Sequence, residues 1–432
     1  MASAILHIKD SYYFEVPKSL WPVGHGSKSD FPDLWIRLDE GFQRWEAERL
    51  YDHYSRLTES DRDGESFELR SFAELNADYE HWKHDDHSNA GKPFYRFLEE
   101  AEYVLKDENG KVLKDTRHGG DKDWFTHKLA SSGFRGRWGQ AKEQAGDVEA
   151  YKANLSVSWS TEKLTAYNKH LSGKILIPQP FGKLRNLYER DSGLCISKFM
   201  IIEVVVALLL WAVFSWLGRQ VGEGDRPRGR LWNLLEAFVV FIRDGVARPA
   251  IGKHDADRFV PLLLTLFFFV LSCNLFGMLP WVGAPTGAFG ATLGLAMITF
   301  GTVIVFGMLK FGPIGFFLNQ IPSMDLPLPL AIFLKPMILA IELLGLMIKH
   351  GVLAVRLLAN MVAGHVVLLG IMTLAFSVQG VEDLGDSWLI AAPISVIGST
   401  LFSCLELFVS FLQAYIFTFL SALFIGAAIH HH

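Results

Sequence analysis

The ten residues RLLANMVAGH, Arg356–His365, set an arginine, an asparagine and a histidine inside an apolar run that extends from about Ala331 to Phe376. A charge in such surroundings costs about 2.5–3.5 kcal/mol on insertion scales and marks a functional position by default. Its polar neighbours are spaced for a helix. Glu342, Lys349 and Arg356 are seven residues apart, nearly two turns, so they share one face, and Asn360 joins them one turn further on. A second apolar run, about Trp388–Ile429, carries Ser399, Ser403, Glu406, Ser410 and Gln413 at intervals of four, three, four and three. That is one polar stripe on an apolar helix. Each run is roughly 40 residues, or about 60 Å as helix, some twice the ~30 Å of a bilayer's hydrocarbon core. Each is therefore either broken or strongly tilted.

Outward from these runs, the whole C-terminal half reads as membrane. After Arg258 the charged residues are Lys310, Asp325, Lys335, Glu342, Lys349, Arg356, Glu382, Asp383, Asp386 and Glu406. So few charges cannot clothe a soluble domain. A first span is expected at Ile196–Leu217, with an unusual Glu203 near its start, and further spans at Phe259–Leu279 and Phe289–Lys310. The basic stretch Gly218–Arg258 belongs on the cytoplasmic side by the positive-inside rule. Within it, Leu231–Val246 reads as an amphipathic surface helix with Leu234, Leu235, Phe238, Phe241 and Ile242 on one face. The neutral turn PWVGAPTG and the acidic loop QGVEDLGDS then lie outside, as does the polar N-terminal half, in the periplasm of a bacterium. The N-terminus lacks a basic start and an apolar run, so it reads as neither signal nor transit peptide.

Arginine keeps its proton under all ordinary conditions. Ala354, Ala359, Ala363 and Gly364 would let another helix approach Arg356 closely. A fixed cation facing an apolar partner suits a device that forces a passing carboxylic acid to ionise, because a nearby opposite charge lowers a carboxyl pKa. His365, on a different face, forms with Glu406 a candidate titratable relay, or else is satisfied by a backbone carbonyl. For the serines the alternative is interhelical hydrogen bonding, worth well under ~2 kcal/mol each.

RLLANMVAGH resembles the signature of ATP synthase subunit a, an Arg-Leu-x-x-Asn-Met-x-Ala-Gly run. NLFGMLP (Asn274–Pro280), Glu342, Lys349 and the closing FLQAYIFTFLSALFIGAAIHHH match it as well, in order, over most of Gly229–His432. The resemblance implies a non-catalytic ion-channel subunit of a proton-translocating F-type ATP synthase, a rotary motor. In it, Arg356 faces the carboxylate of the c-ring between two offset half-channels. His365 and Glu406 match the coupled acid/histidine pair of the outer half-channel, in the His-then-Glu order. Asn360 and Gln413 match polar positions along that path. The implied partners are the c-ring, subunit b and other ATP synthase subunits, in membrane lipid. No cofactor, nucleic acid or directly bound nucleotide is expected.

The expected fold is an all-α polytopic membrane domain with two long tilted helices forming a hairpin, preceded by a polar, mainly helical extramembrane region. The expected boundaries are an outer segment at 1–30, a polar insertion at 31–170, a pre-membrane segment at 171–195 and the first span at 196–218. A basic loop at 219–258, a transmembrane hairpin at 259–311, a linker at 312–330 and the ion-path hairpin at 331–432 complete the chain. The insertion is a departure from the family. Its HWKHDDH run (His81–His87) is either a metal site or a solvated surface, and neither GKPF nor SGKI forms a P-loop. The competing reading, a histidine- and metal-dependent membrane enzyme, has only His350 and His365 in the deep apolar segments. Cys195, Cys273 and Cys404 make no metal or disulfide pattern. Proton is the default coupling ion. A bacterial inner membrane is expected, with a mitochondrial inner membrane as the alternative.

Overall fold

The computed structural model describes residues 10–61, 69–85, 92–99, 104–106, 112–115, 121–154, 156–185, 187, 190–222, 229–279, 282–320, 328–379 and 387–429. These form two compact units. One comprises Lys18–Gly173 and Lys183–Ser192; the other comprises Met1–Pro17, Lys174–Gly182 and Gly193–His432.

The first unit is built of short helices: α1 (Asp33–Arg37), α2 (Glu40–Ser60), α3 (Phe72–Asp85), α4 (Phe94–Glu99), α5 (Asp121–Lys128), α6 (Ser132–Ala145), α7 (Val148–Ala153) and α8 (Thr161–Leu171). Their starts are chemically marked. Ser131, Asp147 and Ser160 each accept backbone N–H groups at the first turns of α6, α7 and α8, which satisfies donors that a helix start leaves orphaned. The core is aromatic. Tyr54, Phe97, Phe125, Phe134 and Trp138 are fully buried, and the Phe125 ring lies 4.9 Å from both Tyr54 and Trp138 in edge-on geometry. Lys28 donates to the carbonyls of Tyr151, Asn154 and Val157 at 2.7–2.8 Å. Buried Asp39 accepts the Tyr151 hydroxyl at 3.0 Å and pairs with Lys163 at 2.6 Å. Burial pushes the Tyr151 phenol up to about 12. Of the HWKHDDH run, Asp86 and His87 lie outside the described residues.

The second unit begins with a strand, Tyr13–Glu15, paired antiparallel with Lys174–Leu176 so that Glu15 faces Lys174. The 156 residues from Lys18 to Gly173 thus leave and re-enter at neighbouring points of one hairpin. Just beyond it, Asp10 accepts the Phe199 N–H at 3.2 Å and Ser11 the Lys198 N–H at 2.8 Å. Together they cap α9 (Lys198–Gly222), the first span.

The amphipathic stretch is α10 (Arg230–Val240), a π-helical turn at Phe241–Ala247, and α11 (Arg248–Ile251). Its apolar residues divide between the bundle and the outer surface. Leu235 and Ile242 are buried, with Trp232, Val246 and Ala247, whereas Leu234 is 55% and Phe241 46% exposed.

Five more helices follow among the described residues: α12 (Ala256–Gly277), α13 (Phe289–Phe311), the short α14 (Pro313–Asn319), and the pair α15 (Leu328–Gln379) and α16 (Ser387–Ile429). Both long helices are unbroken, at 52 and 43 residues, about 78 and 65 Å at 1.5 Å per residue. Among the described residues, five helices are long and apolar enough to cross a membrane. The acidic loop at 380–386, the linker residues 321–327 and the terminal histidines lie outside the described residues. Lipid tails give apolar helices no hydrophobic reason to associate, so close packing of small residues matters more than in water. Gly307 seats the Phe316 ring and Gly426 the Ala250 carbonyl, with no room for a Cβ at either position. Leu263, Val270, Leu353, Phe417 and Ile425 fill the centre.

Candidate functional site

The site lies where α15 and α16 face the C-terminal end of α12. Helix α15 has a sharply divided surface around Arg356. Leu353, Leu357 and Met361 are buried, while Val352, Val355 and Arg356 are exposed. Among the described residues Arg356 makes no hydrogen bond or ion pair. Of the small residues near it in sequence, Ala359 and Ala363 are exposed as it is, whereas Ala354 is fully buried and Gly364 half-buried. The exposed small-residue surface beside Arg356 is thus narrower than the sequence suggests. Two turns earlier, Lys349 donates to Glu342 at 3.4 Å, with both side chains about half exposed.

His365 points away from Arg356 into the bundle. Its Nδ1 lies 3.0 Å from the Met361 carbonyl and 3.2 Å from Glu406 Oε1 on α16, and its Nε2 lies 3.0 Å from the Gly277 carbonyl on α12. The ring thus meets two backbone carbonyls and sits beside Glu406. Carbonyls only accept, so a neutral ring with its one N–H satisfies one of them, and the imidazolium satisfies both. Gly364 makes room for the pair, since a Cβ there would stand 2.7 Å from Glu406 Oε1.

Beside this pair is a cleft of about 160 Å³ lined by Asn274, Asn360, Gly364, Glu406 and Ser410 among apolar residues. It has polar partners and room for several waters. Asn274 is held by Thr286, whose hydroxyl donates to its Oδ1 at 2.8 Å, and its own amide reaches the Ser410 carbonyl at 3.5 Å. Asn274 and Thr286 escaped the site prediction, although a buried asparagine in an apolar span and the NLFGMLP run were visible signals. The Gly277 carbonyl left none.

The stripe on α16 divides in function. Ser399, Ser403 and Ser410 each donate to a carbonyl three or four residues back on their own helix, and the Ser410 hydroxyl also lies 3.9 Å from Sδ of Met278, just past the end of α12. The bond joining α16 to α15 comes from Ser395, which donates to the Ile371 carbonyl at 2.7 Å. Gln413 is buried with no acceptor for its amide N–H among the described residues. His350 packs between the Phe300 and Phe424 rings, far in sequence and surroundings from the partners of His365. No group of three or more His, Cys, Asp or Glu side chains converges among the described residues.

A family profile described as the ATP synthase A chain matches residues 199–426, which hold every one of these groups. The chain belongs to the ATP synthase A chain family. Members are the ion-translocating membrane subunit of an ATP synthase, and this chain is accordingly a membrane protein of that complex. It is similar to the ATP synthase subunit a of Myxococcus xanthus, 40% identical over 247 residues, covering 55% of this chain and 75% of the relative. It is also similar to that of Chloroherpeton thalassium, 36% identical over 275 residues, covering 62% and 78%. A third relative, the ATP synthase subunit a 2 of Chlorobium luteolum, is 35% identical over 296 residues, covering 68% and 78%.

Proposed function

We propose that this subunit carries protons through two offset half-channels that meet at a ring of c subunits, and so couples the proton gradient to rotary ATP synthesis. The observation that carries this reading is Arg356: a permanent cation, exposed and without a partner among the described residues, at the middle of a helix long enough to cross a membrane. Such a charge needs a partner from another chain, because a lone charge in hydrocarbon is costly. A carboxylate on the passing c-ring meets that need.

The chemistry follows from proximity. A ring carboxylic acid that arrives opposite Arg356 ionises, since the guanidinium stabilises the carboxylate. Its proton leaves by one half-channel, and a new one arrives by the other after rotation. The cleft beside Asn360, Glu406 and Ser410 is the outer half-channel, and the His365–Glu406 pair is its relay. Lys349, Glu342 and Gln413 line the remaining path. Arg356 also blocks direct leakage between the half-channels, which matters because each proton crossing 100 mV brings about 2.3 kcal/mol. ATP chemistry is left to other subunits, and subunit b anchors the complex. The bacterial relatives favour a bacterial inner membrane.

The test is ATP synthesis driven by an imposed proton gradient, with Arg356→Ala in the assembled complex. Synthesis falls to background on this reading. Synthesis at the native rate sinks it.

A further inference from the structure

We infer that Gly277 is a positioning residue for the ion path: its backbone carbonyl holds the Nε2 proton of His365, so that Nδ1 is the nitrogen that exchanges a proton with Glu406. This deepens the reading above and rests on it.

Gly277 is the last residue of α12. The final carbonyls of a helix have no partner within it. Nearby ones find local donors: Met278 N–H reaches the Asn274 and Leu275 carbonyls, and Leu279 N–H the Phe276 carbonyl. The Gly277 carbonyl instead faces Nε2 of His365 at 3.0 Å. Which imidazole nitrogen carries the proton is set by the bond that the other makes. With Nε2–H on Gly277, the bare Nδ1 faces the Met361 carbonyl at 3.0 Å, which cannot donate to it, and Glu406 Oε1 at 3.2 Å, which can when protonated. A protonated Glu406 then transfers its proton to Nδ1, leaving a carboxylate and an imidazolium, and the new Nδ1–H is received between Glu406 and the Met361 carbonyl. The reverse step returns the proton to Glu406. Nothing else is consumed.

The glycine is required by space as well. A Cβ on residue 277 would collide with Met361 Cε and stand 2.8 Å from Ala284 Cβ. A side chain here would push α12 away from α15 and draw its carbonyl off the ring. Glu406, on α16, is the titratable side chain facing His365 among the described residues. Helix α12 presents Asn274 and the carbonyl, and its Cys273 packs toward α9.

The experiment uses the assembled ATP synthase in inverted vesicles, with ATP-driven acidification followed across pH. Gly277→Ala tests position and volume together, and it risks poor assembly. The second variant replaces the Met278 backbone amide by an ester, which weakens the Gly277 carbonyl as an acceptor and adds no volume. The same ester at Leu279, which leaves the Gly277 carbonyl an amide, is the control. The Met278 ester slows pumping about tenfold, as loss of an orienting partner of a working histidine typically does, and displaces the pH profile, while the Leu279 ester leaves the profile in place. Native rate and profile in the Met278 ester overturn the assignment, and a slower rate with an undisplaced profile reduces Gly277 to a packing residue. Failure of the channel reading itself is seen separately, as undiminished pumping in Arg356→Ala.

Discussion

Nδ1 of His365 lies 3.2 Å from Oε1 of Glu406, so the two longest helices meet through a pair of titratable side chains set in an otherwise apolar seam. The pair is reciprocal in chemistry, since either member can hold the proton while the other accepts it.

Exchanging the two residues therefore preserves more function than removing either. His365→Glu alone and Glu406→His alone place like groups together and lower pumping more than about tenfold. The double exchange recovers part of that loss. A recovery in the double variant is the mark of direct coupling between neighbours. Acidification rates of the three variants in vesicles, with assembly checked, decide it. A double variant no better than the worse single one contradicts the pairing.

Gly364→Ala probes the same seam by volume alone. The new methyl would sit 2.7 Å from Glu406 Oε1, so the carboxylate must turn away from His365. Overpacking of this kind typically costs about 1–3 kcal/mol. The expected outcome is an assembled complex with pumping reduced about tenfold, and Glu406→Asp, with its shorter side chain, partly relieves it. Native pumping in Gly364→Ala would mean that the observed approach is not required.

Much of this site was legible in the sequence, and for a physical reason. Charges in apolar helices are expensive, so Arg356, His365 and Glu406 stand out, and helical spacing assigns them to faces. Length alone gave the two long helices, though it left open whether they were broken; both run through. Apart from Asn274 and Thr286, what the sequence left unread has no side-chain signature. The Gly277 carbonyl is a backbone atom, and the fit of Gly364 against Glu406 exists only once α15 and α16 are packed. The serines of α16 divide: Ser399 and Ser403 bond to a carbonyl of their own helix one turn back, whereas Ser395 and Ser410 reach outside it. The polar unit was legible as mainly helical, but the bounds of its helices were not, because its core is aromatic and scattered over many segments, without a sustained period.

That polar unit has its own core, and its ends meet at one strand pair. Replacing residues 18–173 by a short turn between Pro17 and Lys174 is expected to leave a subunit that assembles and pumps. Within the intact chain, Phe97→Ala removes a fully buried ring and costs about 3–5 kcal/mol of that unit's stability. Limited proteolysis of the Phe97→Ala protein, expected to cut first between residues 18 and 173, checks the second expectation. Loss of assembly in the excised protein contradicts the first.

The same unit has an acid-sensitive clasp. The Arg137 guanidinium bonded to Asp61 holds its carboxyl below the ordinary value of 3.8. The native state therefore binds fewer protons than the unfolded one near that pH, and stability rises with pH until the unfolded carboxyl is ionised. The contribution is fully present above about pH 4 to 5 and is lost as the pH falls through the native value. Asp61→Asn is thus less stable than the parent at neutral pH by a small margin, as befits a solvent-screened pair, and the difference closes in acid. Thermal melts of the two proteins at pH 7 and pH 3 measure it, and a margin unchanged by pH excludes the clasp.

The central claim is that Arg356 meets a carboxylate of another chain and governs its proton. The most direct measurement is ATP-driven acidification of inverted vesicles carrying the complex with Arg356→Ala, with assembly and ATP hydrolysis verified in parallel. Hydrolysis that continues without acidification is the predicted result. Undiminished acidification would contradict the account and place the decisive charge elsewhere in the chain.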